Sequence, residues 1–270
     1  MNQFSGDWLA LREPADAAAR SVALTRLVAN RLPPGRVNAV DLASGTGANV
    51  RFLAQYFPAA QEWLLVDNDE RLLSQVPAQM RQADVPARAQ YETRRANLLD
   101  LRAAGVVDGR TLVTASALLD LVSEAWVATL AALCHRARAV ALLVLTYNGR
   151  LTFSPSEPED ERIHRLVNRH QHTDKGFGPA LGPDASSCAE EHFAHLGYDV
   201  RRAASDWILE PAQRGLQEQL ITGWAEAAMA IEPGNTGHIR EWESRRRAHV
   251  AAGHSRLVVG HDDVAALIRE

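Results

Sequence analysis

Cysteine is scarce: 270 residues hold only Cys134 and Cys188. Neither forms a CxxC pair or a metal-binding spacing, and both stand in segments that read as helical. A disulfide scaffold and a cysteine metal centre are thereby excluded, and a reduced, cytoplasmic setting is expected. Long hydrophobic runs are missing too. No stretch approaches the roughly 18 apolar residues that a membrane-crossing helix needs, and no signal-peptide or lipidation pattern appears, so no membrane role is expected. Nor is there an excess of positive charge. The net charge is -4 and the isoelectric point about 6.2, so nucleic acid is not expected as a partner. The short basic clusters, Arg94-Arg95, Arg201-Arg202 and Arg245 to Arg247, lack interleaved aromatics and read as solvated faces. Internal repeats are absent. What remains, at 46% hydrophobic, is enough for a full core.

The most informative segment is residues 37–49, VNAVDLASGTGAN. A short apolar run ends on Asp41, a glycine turn follows, and a helix-like stretch runs from Val50 to Phe57. Gly45 and Gly47 permit positive φ and close backbone approach to a ligand, because no Cβ intervenes. They also occupy the first two positions of a dinucleotide fingerprint, whose third position here is Val50. A bulky residue there opposes close helix-to-strand packing, and Asp41 would set a carboxylate near a pyrophosphate; both count against NAD. A second apolar strand, within Glu62 to Asp69, ends on Asp67 about twenty residues past the glycines, the spacing of a ribose-binding carboxylate. Asp69 reads as the cap of the following helix.

Further strands are expected at Gln90 to Asn97, Arg110 to Ala115, Ala139 to Tyr147 and Gly197 to Ala203, with a last one at Ser255 to Gly260. Near-continuous apolar runs alternating with helices predict a doubly wound parallel α/β sheet with its ligand at the carboxyl strand ends. Ser116, Asp120 and Tyr147 fall on that edge.

With Asp41, Gly45, Gly47 and Asp67 in this order, residues 36–147 resemble the class I S-adenosylmethionine-dependent methyltransferases. The resemblance implies a Rossmann-like seven-stranded sheet whose last strand is antiparallel, with an N-terminal helical arm and helical or loop cap insertions, in one domain over residues 1–270. It implies S-adenosylmethionine as cofactor, in a site built by Asp41, Ala43, Ser44, Gly45, Gly47, Asn49, Asp67, Asn68 and Ser116. By the same resemblance Asn97 meets the adenine amino group, Leu98 lies against the ring, and Arg12 or Arg20 of the arm, residues 1–35, holds the methionine carboxylate. The Pro-Pro motif of base and amide methyltransferases is replaced by Ser116-Ala117-Leu118-Leu119. A small-molecule methyl acceptor is therefore expected, with RNA or protein methylation, or a cofactor-binding regulatory protein without activity, as alternatives.

Residues 148–186, rich in Pro, Gly and His, read as a long polar loop at the sheet edge, where substrate contacts are commonly built. His170, His172, Asp174 and Lys175 are its candidates, with His172 or Asp174 as general base and Tyr147 beside the methyl group. The His-x-His-x-Asp spacing also occurs in dinuclear metal sites, but the further ligands are lacking and no metal is expected. Within 187–270, residues 212–231 and 239–251 predict two cap helices, with a homodimer through this cap as an open alternative. Trp224, Met229 and Trp242 on them read as core, with walls of an acceptor pocket as the alternative.

Overall fold

The computed structural model describes residues 5–269. In chain order these form α1 (Gly6–Ala19), α2 (Val22–Arg31), β1 (Arg36–Leu42), α3 (Ala48–Leu53), β2 (Ala60–Asp67), α4 (Glu70–Leu73), α5 (Val76–Gln82), β3 (Ala89–Arg95), α6 (Leu101–Ala104) and β4 (Leu112–Ser116). There follow α7 (Glu124–Ala137), β5 (Val140–Ser154), α8 (Asp160–Gln171), α9 (Ala185–His195), β6 (Asp199–Ala204), β7 (Trp207–Leu209), α10 (Arg214–Ile231), α11 (Thr236–Ala251) and β8 (Arg256–Leu267).

The sheet runs β3-β2-β1-β4-β5-β8-β6. The first five of these strands are mutually parallel, and β8 is antiparallel to both β5 and β6. This is the expected seven-stranded path, to which the short β7 adds an eighth strand paired with β8. The central strands have apolar side chains on both faces and so bury two cores. One face packs Trp126, Leu130 and Phe193 of α7 and α9; the other packs Val28, Leu53 and Met80 of α2, α3 and α5. Helices on both faces are what parallel crossovers require.

Three sequence expectations need correction. Residues 148–186 are not a long loop. Strand β5 continues through Ser154 after a register shift between Tyr147 and Leu151, and α8 follows, burying Ile163, Leu166 and Val167 on one stripe. Strand β3 stops at Arg95, leaving Asn97 in the connection beyond it, because its side chains are mostly exposed at the sheet edge. Strand β8 continues well past Gly260 to Leu267, since it is paired on both sides.

Above the carboxyl edge of the sheet, α1, α8, α10 and α11 close on the extension of β5 and on β7 as a third core. Trp242 is wholly buried there, beneath Phe153 at 5.9 Å, and Met229 packs at its margin.

Candidate functional site

At the carboxyl ends of β1, β2, β4 and β5 lies a cavity of about 990 Å³, roofed by α1, α8 and α10. This is the upper end of the range for ligand sites, about 300–1,000 Å³. Of the residues expected at the cofactor, Asp41, Ala43, Ser44, Gly45, Asn49, Asp67, Asn68, Asn97, Leu98, Ser116 and Arg12 line it. Two do not. Gly47 is the left-handed residue before α3, and a Cβ there would stand 2.8 Å from Met80 and 3.0 Å from Leu65, so its role is to let α3 settle on the sheet. Arg20 lines a smaller adjoining cavity together with Asn49, Ser116 and Leu145, all of which the two cavities share.

The glycine turn is fastened from within. The Ser44 amide donates to the Val66 carbonyl at 2.9 Å and the Gly47 amide to the Ser44 carbonyl at 2.8 Å. The Gly45 amide donates to Asp67 Oδ2 at 2.8 Å, while Asp67 Oδ1 accepts from the Asp69 amide at 2.9 Å. Asp69 caps α4 through the Arg71 amide at 2.9 Å. Three amides that would cradle a phosphate are therefore occupied, and the groups presented are carboxylates. This favours a ligand without phosphate, in agreement with the reading of Asp41.

Asp41 is 1% exposed at the end of β1. Its Oδ1 accepts from Asn49 Nδ2 at 2.7 Å, and its Oδ2 has no partner. Desolvation pushes this carboxyl up to about 7, against the Asn49 hydrogen bond and the charge of Arg20, with Asp67 nearby raising it further. Arg20 donates through Nη1 to Asn49 Oδ1 at 2.8 Å and lies over the Phe52 ring at 4.6 Å. Its Nε and Nη2 are buried without hydrogen-bond partners, Asp263 being 3.8 Å from Nε. Burial lowers the pKa of this guanidinium. Asp41 in the main cavity thus keeps one oxygen without a partner, and Arg20 in the adjoining cavity keeps two donors that make no hydrogen bond.

Arg12 is engaged differently. It pairs with Asp16 at 2.9 and 3.1 Å and lies over the Trp207 ring at 5.0 Å, on the far side of the cavity. Burial raises the pKa of Asp16, which also accepts from Trp207 Nε1 at 3.0 Å. Asn97 Oδ1 accepts from the Leu99 amide at 3.0 Å, and buried Leu98 offers its carbonyl to Trp126 Nε1 at 2.7 Å.

The polar candidates of the former loop separate. His172 is half exposed beside Asp184 at 3.9 Å and lies outside the cavity lining. It is the residue that follows the last turn of α8. Asp174 lines the cavity, but its Oδ1 accepts from the Gly176 and Gly178 amides at 2.6 and 3.0 Å and holds the loop. Tyr147 lines the cavity with its hydroxyl donating to Asn168 Oδ1 at 2.7 Å; burial raises its pKa and keeps the phenol neutral.

Three lining residues carried no motif in the sequence, Trp8, Trp207 and His261, while Trp224 of the cap helices lines the cavity as well. Asp120, placed on the reacting edge by sequence, is 7% exposed with Oδ1 unpartnered, and desolvation lifts it to about 6. A lone acid inside the apolar run SALLDLV was its signal.

No protein-family model and no curated protein matches the chain. Among solved structures it is similar to the cyclopropane synthase MmaA2 from Mycobacterium tuberculosis, with 15% identity over 97% of this chain and 94% of that one and a TM-score of 0.52. A second similar structure is the mycolic acid cyclopropane synthase CmaA1 complexed with SAH and CTAB, at 12% identity over 91% and 83% of the two chains, TM-score 0.49. A third is a SAM-dependent methyltransferase from Geobacter sulfurreducens in complex with S-adenosyl-L-homocysteine, at 16% identity over 100% of each, TM-score 0.47. At such identities the likeness is one of fold. The strand order, the single reversed strand and the match to MmaA2 make this the fold of the class I S-adenosylmethionine-dependent methyltransferases. No described helix is long and apolar enough to cross a membrane.

Proposed function

We propose that the chain is an S-adenosylmethionine-dependent methyltransferase acting on a small-molecule acceptor by in-line methyl transfer. The observation that carries the reading is the Asp41 Oδ2 without a partner in the main cavity, together with the Arg20 Nη2 without a hydrogen bond in the adjoining cavity that shares Asn49, Ser116 and Leu145 with it. An amino acid zwitterion carries an ammonium for the one and a carboxylate for the other, whereas a dinucleotide has no cation to meet Asp41 near its pyrophosphate.

The residues fit the cofactor as follows. Asp41 takes the ammonium, Arg20 the carboxylate, and Asp67 the ribose hydroxyls with the lone pairs its two amide contacts leave. Asn97 and Leu98 stand at the adenine end and Ser116 near the reacting centre. When bound, S-adenosylmethionine supplies a methyl group activated by its sulfonium. The chain's own contribution is alignment and exclusion of water, and pre-set geometry of this kind is worth several kcal/mol of barrier, ~7–11 in favourable cases. Helix α1 provides the exclusion. It is tied to α3 by Glu13 and Arg51 at 2.8 Å, and the Ser21 amide after it is tied to β8 by Asp263 Oδ2 at 2.9 Å.

Calorimetric titration with S-adenosylmethionine and S-adenosylhomocysteine, with NAD as competitor, tests the reading. Micromolar binding of the first two that Asp67→Ala abolishes is the expected result; binding of NAD in their place, or of none of the three, refutes it.

A further inference from the structure

Beyond the cofactor end, the same cavity is walled by rings. Trp207 and Trp224 are 3% and 9% exposed, and His261 lies 5.0 Å from the Trp207 ring and 6.2 Å from that of Tyr147. Three buried polar atoms on lining residues have no partner in this wall: Asp120 Oδ1, His261 Nδ1 and Trp8 Nε1. Resting on the methyltransferase reading, we propose that the acceptor is a planar aromatic molecule carrying a hydroxyl or ring N–H, and that Asp120 takes that proton during transfer.

Asp120 follows β4 on a 3-10 turn, Leu119–Leu121, which fixes it at the strand edge. The cations near it are held elsewhere. Arg12 is paired with Asp16, and the chain's one lysine, Lys175, donates to the His170 carbonyl at 2.8 Å and to Thr173 Oγ1 at 2.9 Å. They supply field without contact, so Oδ1 is left for a ligand donor. An alkyl or alkene acceptor would seat hydrocarbon on three unsatisfied polar atoms. An ammonium would be a third cation beside Arg12 and Lys175, and it has no lone pair until deprotonated. A flat aromatic with one donor matches both the rings and the carboxylate.

The step balances. A lone pair on the acceptor oxygen or nitrogen forms the bond to the methyl carbon, and the S–CH3 bond breaks with its pair moving to sulfur, leaving the thioether. The acceptor's O–H or N–H pair stays with the heteroatom, and the proton passes to Asp120 Oδ1. Because the acceptor becomes strongly acidic only as the new bond forms, a carboxylate suffices as base.

The test uses the full chain and phenol, catechol, indole and imidazole as probes, with 1-hexene and ethanolamine as contrasts. Binding to the protein saturated with S-adenosylhomocysteine is read by tryptophan fluorescence, and transfer by tritiated methyl. Aromatic probes should bind and at least one should be methylated. Asp120→Asn should reduce transfer ~100-fold or more, within the usual range for a general base, and Trp207→Ala should weaken probe binding. Binding of S-adenosylhomocysteine itself should hold within about twofold in Asp120→Asn, a readout independent of turnover.

Charged and titratable groups facing Asp120 are Arg12 from α1, Tyr147 from β5 and Lys175 from the loop after α8. Burial and Lys175 lower His170. With S-adenosylmethionine saturating at every pH, so that the titration of Asp41 does not enter, the acid limb of the wild-type kcat profile should therefore vanish in Asp120→Asn; its survival would assign it to His170 and overturn the role. Failure of S-adenosylhomocysteine to bind sinks the methyltransferase reading. Binding of it with no aromatic probe bound, or with transfer only to 1-hexene or ethanolamine, sinks this inference alone.

Discussion

Asp41→Asn should stabilise the protein and cripple its cofactor site together. The folded protein holds Asp41 protonated up to about 7, while its ordinary value is 3.8. Between these two values the folded state carries a proton that the unfolded chain lacks. The raised carboxyl thus contributes most stability below the unfolded value, and that contribution is lost as pH rises through the folded one. The span from 3.8 to about 7, at ~1.36 kcal/mol per pH unit, amounts to about 4 kcal/mol at pH 8. Asparagine has the same shape and stays neutral. Allowing ~1 kcal/mol for the altered contact with Asn49, the variant should gain about 3 kcal/mol at pH 8 and under ~1 at pH 5. Urea unfolding of both proteins at the two pH values measures this, and the comparison isolates Asp41 from Asp120, which titrates in both. Binding should move the other way. Without a carboxylate to face the ligand ammonium, S-adenosylhomocysteine affinity should fall by tenfold or more, ~1.4 kcal/mol. Wild-type affinity should itself weaken below pH 7, where Asp41 must first give up its proton. A variant less stable than wild type at pH 8, or one that binds the ligand as well, would refute the reasoning.

Arg20→Met should cost at least tenfold in S-adenosylhomocysteine affinity by calorimetry, since it removes two donors that make no hydrogen bond in the free protein. Arg12→Met, which disturbs a pair already satisfied by Asp16, should leave that affinity nearly unchanged and act on acceptor binding instead. Gly47→Ala places a Cβ at φ +84° and 3.0 Å from buried Leu65, and should lower stability by ~2 kcal/mol in the same urea experiment without touching the ligand.

The parallel sheet was legible because strands buried on both faces must be written in continuous apolar letters. Val140 to Val144 could not read otherwise. Asp41 and Asp67 were legible for the complementary reason, an acid ending such a run at the strand edge. Residues 148–171 were misread because β5 and α8 bury one side only beneath the cap, so polar letters dominate. The spacing of Ile163, Leu166 and Val167 already marked a helical stripe. His172 and Asp174 show what spacing cannot supply. One falls outside the cavity and the other is turned onto its own loop amides, and the choice depends on how α8 ends. Trp207 and His261 join the wall from β7 and β8, far apart in sequence from the cofactor motifs, and a single chain carries no local sign of that meeting.

One helix unites the two halves of the site. On α1, Glu13 reaches Arg51 beneath the glycine turn, while Arg12 and Asp16 reach Trp207 on the wall proposed for the acceptor. Leu9 lies so near the turn that a Cβ on Gly45 would come within 2.9 Å of it. Asp16, Asp41 and Asp120 all have carboxyls raised first by desolvation, and all line the cavity that α1 covers. Displacing α1 would readmit water and return all three toward their ordinary range together. The cover that makes these acids costly in the free protein also makes an ammonium at Asp41 and a donor at Asp120 worth more than either would be in water. Desolvation beneath α1 is thus one physical cause with two effects, lower stability of the free protein at neutral pH and stronger selection of what may enter.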